Sequence, residues 1–208
     1  MSRDLSPKCK LCRREGKKLF LKGERCYTPK CALNKRKYPP GVHGAKGRPR
    51  LSEYGLELRT KQQLKRSYRI TETQLKNSFK KADRKQGDTS ENLIRLLEKR
   101  LDNVIWRAGF AVSRDSSRQM INHGNVLVNN RRIDIPSYQV KIGDEIKIKP
   151  KMIPKIKEII AHPWGETKQS SWFSIDKENL AVKILTEPKA EDLPKDIDLR
   201  LIVQFYSK

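Results

Sequence analysis

The sequence predicts an α+β protein. Its expected parts are a small cysteine-bearing segment with a basic loop, a helical domain, and a module of helices with a β-hairpin and small antiparallel sheet. Three observations carry that expectation. All four cysteines fall between residues 9 and 31, ahead of a stretch rich in proline and glycine. Leu93, Leu97, Leu101, Val104 and Ala108 recur three and four apart, the period of one buried helical stripe. Between Val126 and Ile148, short apolar runs flank Asn129-Asn130 and Gly143-Asp144, residues suited to tight turns.

Cys9, Cys12, Cys26 and Cys31 read C-x2-C, a gap of thirteen, then C-x4-C. Two close pairs joined by a loop is the spacing of a four-thiolate zinc knot. Apolar residues between Leu5 and Leu33 are few and lysines and arginines crowd between them. So small and polar a segment cannot bury enough surface to offset its chain entropy, and one structural zinc would replace the missing core. Two disulfides are the competing reading. Residues 1–10 carry no apolar signal region, so reduced thiols are expected. A redox C-x-x-C normally follows a strand and opens a helix in a larger α/β domain, which nothing here resembles. His43 is not needed, because four thiolates fill a tetrahedral shell.

Residues 35–50, KRKYPPGVHGAKGRPR, read as an extended basic loop: three prolines forbid regular helix and the glycines permit sharp bends. Such a loop is expected to gain order by lying on phosphates. Ser52 caps a helix carrying Leu56, Leu64 and Tyr68; a second runs from Thr71 or Glu72 to about Lys85; Ser90 caps a third, which carries the stripe to Gly109. Ser113 caps a short basic helix that ends at Gly124. Val126–Val128, the Asn-Asn turn and Arg131–Ile135 form a hairpin, and Ile146–Ile148 a strand. Residues 152–161 suggest another helix and Leu180–Leu185 a strand; the terminal run Leu199–Tyr206 reads as partly buried. Trp164, Trp172 and Phe173 are assigned to packing.

The chain has 208 residues and a net charge of +23. Residues 1–50 hold 16 basic and 3 acidic side chains, whereas 151–208 hold 10 and 9. Charge used only for solubility has no reason to gather at one end, so an anionic partner is expected along the first half. No apolar stretch is long enough to span a membrane, and no amphipathic helix with exposed Trp or Phe marks a membrane surface. In the module, Arg114 and Arg118 lie four apart near a helix N-terminus, and Arg131 and Arg132 project from the hairpin. Two such cationic ridges suit the phosphate rails of double-stranded or junction RNA, which is read by shape and backbone.

The stretch RLDNVIWRAGFAVSRDSSRQMINHGNVLVNNRRIDIPSYQVKIGDEIKI closely resembles the RNA-binding module named after the fourth protein of the small ribosomal subunit. LCRREGKKLFLKGERCYTPKC, YPPGVHGAKGRPRLSEYGLELRTKQQLKR and the terminal LIVQFYSK resemble the bacterial family of that protein in the same order, so the resemblance covers essentially the full chain. The four cysteines are similar to its zinc-containing form.

The resemblance implies three parts: a zinc segment with its basic loop (1–46), a helical domain (47–97) packed with 197–208, and an inserted RNA-binding module with a β extension (98–196). It implies a primary binder of 16S rRNA at a 5′-domain junction, acting early in assembly in the cytoplasm. The implied partners are the neighbouring small-subunit protein five, through which decoding accuracy is influenced, and mRNA where it enters the subunit. Lys46, Arg48 and Arg50 match the loop that faces incoming mRNA, and His123 a position near RNA. Arg13, Arg14, Lys22, Lys61, Lys65, Arg66, Arg69, Arg107, Ser113 and Gln119 join Arg114, Arg118, Arg131 and Arg132 in the expected RNA-facing set. Ser117, Asn125 and Asn130 stand where the family usually has Ala, His and Gly; Asn130 still suits a tight turn.

Two rival readings compete with this one. A pseudouridine synthase carrying this module would use an aspartate in an Arg-Leu-Asp string, and Arg100-Leu101-Asp102 is one. It sits inside the predicted stripe, where Asp102 is expected to pair with an arginine, and too few residues follow Ile148 for a catalytic domain. No nucleophile–base set or phosphate loop is visible, so no catalytic residue and no small-molecule substrate are expected. A zinc-dependent DNA regulator would need a base-reading helix and usually a dimer face.

Overall fold

The computed structural model describes residues 6–47, 50–161, 170–189 and 196–207. Arg48 and Trp164 lie outside them. The chain divides into two compact units, residues 1–93 with 194–208, and residues 94–193. The fold is α+β.

In the first unit, helix α1 (Lys8–Glu15) stops at Gly16, whose φ of 73° lets its N–H reach the Cys12 carbonyl. Leu11 and Cys12 meet Leu19 and Leu21 in a cluster of four buried residues, as small a core as the sequence suggested. A short helix α2 (Ala32–Lys35) follows. Helix α3 (Glu53–Ser67) starts where expected, with the Ser52 hydroxyl accepting the Gly55 N–H. Helix α4 (Glu72–Asp83) opens with a reciprocal capping box between Thr71 and Gln74.

Helix α5 (Thr89–Glu98) corrects one expectation. Asp88, not Ser90, supplies the acceptor: its Oδ1 takes the Ser90 N–H and hydroxyl, both at 2.7 Å. A carboxylate outcompetes a hydroxyl at the positively polarised helix end, and the Ser90 bonds hold the Asp88 carboxyl below its usual range.

The terminal run is a helix, α9 (Leu199–Tyr206), capped by Asp198 and packed on α3. The Tyr206 hydroxyl donates to Glu72 at 2.9 Å, and Lys61 sits 4.3 Å above the Phe205 ring. Burial pushes the Glu72 carboxyl up, but hydrogen bonds from Lys61, Lys65 and Tyr206 outweigh it and bring it down to about 2.

In the second unit, the predicted continuous stripe is broken. Helix α6 (Leu101–Arg107) begins after an extended Arg100 with ψ of 134°. Residues 136–140 take the backbone groups that a continuous helix would use: Val140 N–H reaches the Lys99 carbonyl, Leu101 N–H that of Tyr138, and Asp102 N–H that of Pro136. Leu101, Val104 and Ala108 are buried all the same.

Helix α7 (Arg114–Asn122) is capped by Ser113, as predicted. Gly124 closes it: its N–H meets the Ile121 carbonyl, and the Asn125 N–H meets that of Met120. Strands β1 (Val126–Val128) and β2 (Arg131–Ile133) pair through Asn129 and Asn130, whose φ values of 51° and 62° are those of a primed turn. β2 ends two residues earlier than expected.

Strand β3 (Glu145–Ile148) follows the Gly143 turn, then come helix α8 (Ile153–Ala161) and strands β4 (Phe173–Asp176) and β5 (Ala181–Ile184). The sheet is antiparallel in the order β2-β1-β3-β5-β4. Its core takes in Leu101, Ile105, Phe110, Ile146 and a fully buried Trp172 beside Phe173, which places both aromatics in packing. Among the described residues, no helix is long and apolar enough to cross a membrane.

Candidate nucleic-acid interface

The second unit carries an exposed cationic edge. Gln119 on α7 and His123 at its C-cap are one turn apart and exposed, as are Arg131 and Arg132 on β2. Arg132 folds back over the end of α7: a Cβ on Gly124 would stand 2.2 Å from its Nε. The missing side chain at Gly124 therefore makes room for the guanidinium.

Gly124→Ala should cost about 1–2 kcal/mol, because Gly124 has φ of 65° and L-residues resist that region. It should also displace Arg132. Gly143→Ala is the control, with φ of 87° and nothing within 4 Å. Urea midpoints should fall for both variants, and RNA affinity only for the first.

The other arginines of this unit are held by the protein. Asp102, almost wholly buried, accepts Arg100 Nε and Nη2 at 3.0 and 2.7 Å and Arg118 Nη2 at 2.9 Å. Arg107 makes two bonds to the buried Glu98 at 2.7 and 2.6 Å. Arg114 lies 3.8 Å over the Trp106 ring while its Nε donates to Asn103 Oδ1. Each guanidinium is thus held by a neighbouring side chain. Ser113 is buried and acts as the helix cap. Asn125 is also buried, its carbonyl accepting the Lys149 N–H, so it presents no stacking surface.

In the first unit, Arg14, Lys22, Lys46 and Arg50 are exposed. Lys61 is buried and donates to Glu72 at 2.8 Å, with Lys65 on the other oxygen at 3.0 Å. Arg66 and Arg59 both engage Glu15, whose carboxyl burial pushes up against their pull. Arg69 is half-buried with φ of 54°. Arg13 bonds the carbonyls of Tyr38 and Pro39, both at 3.0 Å.

That grip shapes the basic loop. The sequence suggested an extended course; residues Val42–Lys46 instead form a tight turn, and Gly44 comes so close to Pro39 that a Cβ would stand 1.9 Å from its carbonyl oxygen. Several cations that sequence reasoning did not single out, among them Lys10, Arg25 and Arg36, line a cavity described below. Only the density of charge over residues 1–50 signalled them.

All four cysteines are free thiols, and Cys12, Cys26 and Cys31 are buried. Burial pushes the Cys12 thiol up to about 11, against an N–H from Leu19, and repulsion from Cys26, Cys9 and Cys31 adds to it. The Lys22 N–H points at Cys26 Sγ from 3.4 Å. The four sulfurs therefore share one neighbourhood, and soft thiolates are the donors zinc prefers. Among the described residues, however, no three Cys, His, Asp or Glu side chains are gathered into a finished metal site. The donor chemistry fits zinc; a closed coordination shell is not preformed.

Residues 3–98 match the family described as Ribosomal protein S4/S9 N-terminal domain, and residues 99–146 match the S4 domain. The chain is 46% identical over 210 residues to the small ribosomal subunit protein uS4 of Natranaerobius thermophilus, and 48% identical over 210 residues to those of Thermus thermophilus and Heliobacterium modesticaldum. Each of these matches covers 100% of both chains. A buried aspartate clamped by arginines, an exposed cationic edge on a helix–hairpin module and full-length similarity of this degree lead to one conclusion: the chain belongs to the uS4 family of small ribosomal subunit proteins.

Proposed function

We propose that this uS4-family protein is a structural, non-enzymatic component of the small ribosomal subunit in the cytoplasm, and that it binds 16S rRNA. The finer reading is that it grips a 5′-domain junction, helps nucleate the subunit body, touches small-subunit protein five, and lines the path of incoming mRNA with Lys46, Arg48 and Arg50.

The observation that carries RNA binding is the exposed edge of Gln119, His123, Arg131 and Arg132, set on a rigid helix and hairpin. Arg114, Arg118 and Arg107 are held by Asn103, Asp102 and Glu98 and brace the helices that present this edge. The buried ion pairs of Asp102 speak against the synthase reading, since a carboxylate held by two guanidiniums is a poor nucleophile.

Affinity of the full chain for 16S rRNA should fall steeply with salt, by several units on a log–log plot. Arg132→Ala should lower that slope by about one unit if the guanidinium meets a phosphate. Salt-independent binding, or equal binding to any polyanion, would overturn the reading. Turnover of uridine to pseudouridine would favour the enzyme.

Cys9, Cys12, Cys26 and Cys31 are the ligands we assign to a single structural zinc ion. The shared neighbourhood of the thiols, the Lys22 N–H directed at Cys26 and the four-residue apolar cluster support this. When bound, the ion supplies folding free energy that so small a core lacks.

A further inference from the structure

Between α1 and α2 lies a cavity of about 250 Å³. Six cationic side chains line it, Lys10, Arg13, Arg25, Lys30, Lys35 and Arg36, and none of its described lining residues is acidic. Six like charges around one small space repel each other, so the arrangement favours an anion inside it.

Backbone carbonyls help to orient two of the guanidiniums. Arg13 uses the carbonyls of Tyr38 and Pro39 and lies 4.9 Å from the centre of the Tyr38 ring; Arg25 Nε donates to the Lys30 carbonyl at 3.4 Å. The Lys30 carbonyl fixes the Arg25 guanidinium without cancelling its charge. Arg59 and Arg66, by contrast, face the Glu15 carboxylate.

The start of α1 adds to the field. Pro7, at its N-cap, makes no side-chain hydrogen bond to the helix, and the first turn holds no acidic residue. Pro7 and Cys9 line the cavity, so the positively polarised end of the helix borders it. The space is below the roughly 300–1,000 Å³ of pockets for organic ligands, which suits a compact oxyanion.

We propose that this cleft is an oligophosphate site that takes two adjacent phosphoryl groups, from an RNA backbone or from a free pyrophosphate. For the first source the proposal rests on the rRNA-binding reading; for the second it stands alone.

The test uses the full chain with its zinc content measured. Pyrophosphate binding is read by calorimetry, and 16S rRNA affinity is read across salt. The cleft variant is Arg25→Gln/Lys30→Gln/Arg36→Gln. Its charge-keeping counterpart is Arg25→Lys/Lys30→Arg/Arg36→Lys. The control removes the same charge from exposed positions of α4, Lys76→Gln/Lys80→Gln/Lys81→Gln.

The cleft variant should lose pyrophosphate affinity about tenfold or more and lower the RNA salt slope by about two units. The charge-keeping variant should restore both, and the control should match the unmodified chain in pyrophosphate binding. Loss of pyrophosphate binding with an unchanged RNA slope assigns the cleft to the free anion. A cleft variant equal to the unmodified chain in both assays, or a control that loses as much, overturns the proposal. If the unmodified chain ignores rRNA, the functional reading falls while the pyrophosphate arm still judges the cleft. In the unmodified chain, pyrophosphate should also slow acetylation of Lys10, Lys30 and Lys35 but not of Lys76 and Lys80. Equal rates at both sets would overturn the proposal even if the variants failed to fold.

Discussion

Asp102→Ala should lower the unfolding free energy of residues 94–193 by about 3–5 kcal/mol, the usual cost of removing one partner from a buried ion pair. The Asp102 side chain is 2% exposed and that of Arg100 6%. With the carboxylate gone, Arg100 keeps its charge but loses both hydrogen bonds in a site that water hardly reaches, and Arg118 loses its tie to α6. Asp102→Asn keeps the shape and one acceptor oxygen, so its loss should be smaller. Urea denaturation of the full chain, followed by circular dichroism, reads the effect. A midpoint that does not move would mean that the guanidiniums find water, and that the triad contributes little.

Zinc removal should have the other large effect. Purified protein should carry about one zinc ion per chain, as a four-thiolate site requires. Chelation, or Cys26→Ser, should loosen residues 1–46 and leave residues 94–193 folded. The apolar alternative is too small to hold the segment: Leu11, Cys12, Leu19 and Leu21 together contribute less than the ordering entropy of the chain around them. Structural zinc in small fingers supplies roughly 10 kcal/mol or more, enough to order so polar a stretch if the ion is bound. Hydrogen exchange mapped along the chain checks this. Protection of residues 8–35 that survives metal removal would sink the zinc assignment.

The parts of the fold legible from sequence are those set by neighbours a few residues apart. Ser52 and Ser113 cap the helices that follow them, because a hydroxyl reaches the N–H three residues on. Asn129 and Asn130 make the hairpin turn, because their side chains tolerate positive φ. The helix break at Arg100 was not legible, since the groups that impose it, the carbonyls of Pro136 and Tyr138 and the Val140 N–H, come from much later in the chain. The terminal helix α9 was hidden for a related reason. Its apolar run suits strand or helix equally, and packing on α3 selects the helix.

The candidate site divides along the same line. Sequence alone determined that this protein is strongly cationic, that the charge is concentrated in its first half, that four thiols sit at metal-binding spacing, and that a helix–hairpin module carries arginines on both arms. Tertiary structure decided which cations remain outward. Lys61, Arg66, Arg107 and Arg118 meet Glu72, Glu15, Glu98 and Asp102, carboxylates that lie 9 to 51 residues away along the chain, while Arg131 and Arg132 stay exposed. The physical reason is range. A cap or a turn is settled by groups already adjacent, but an ion pair forms only after packing brings distant charges together and removes the water between them.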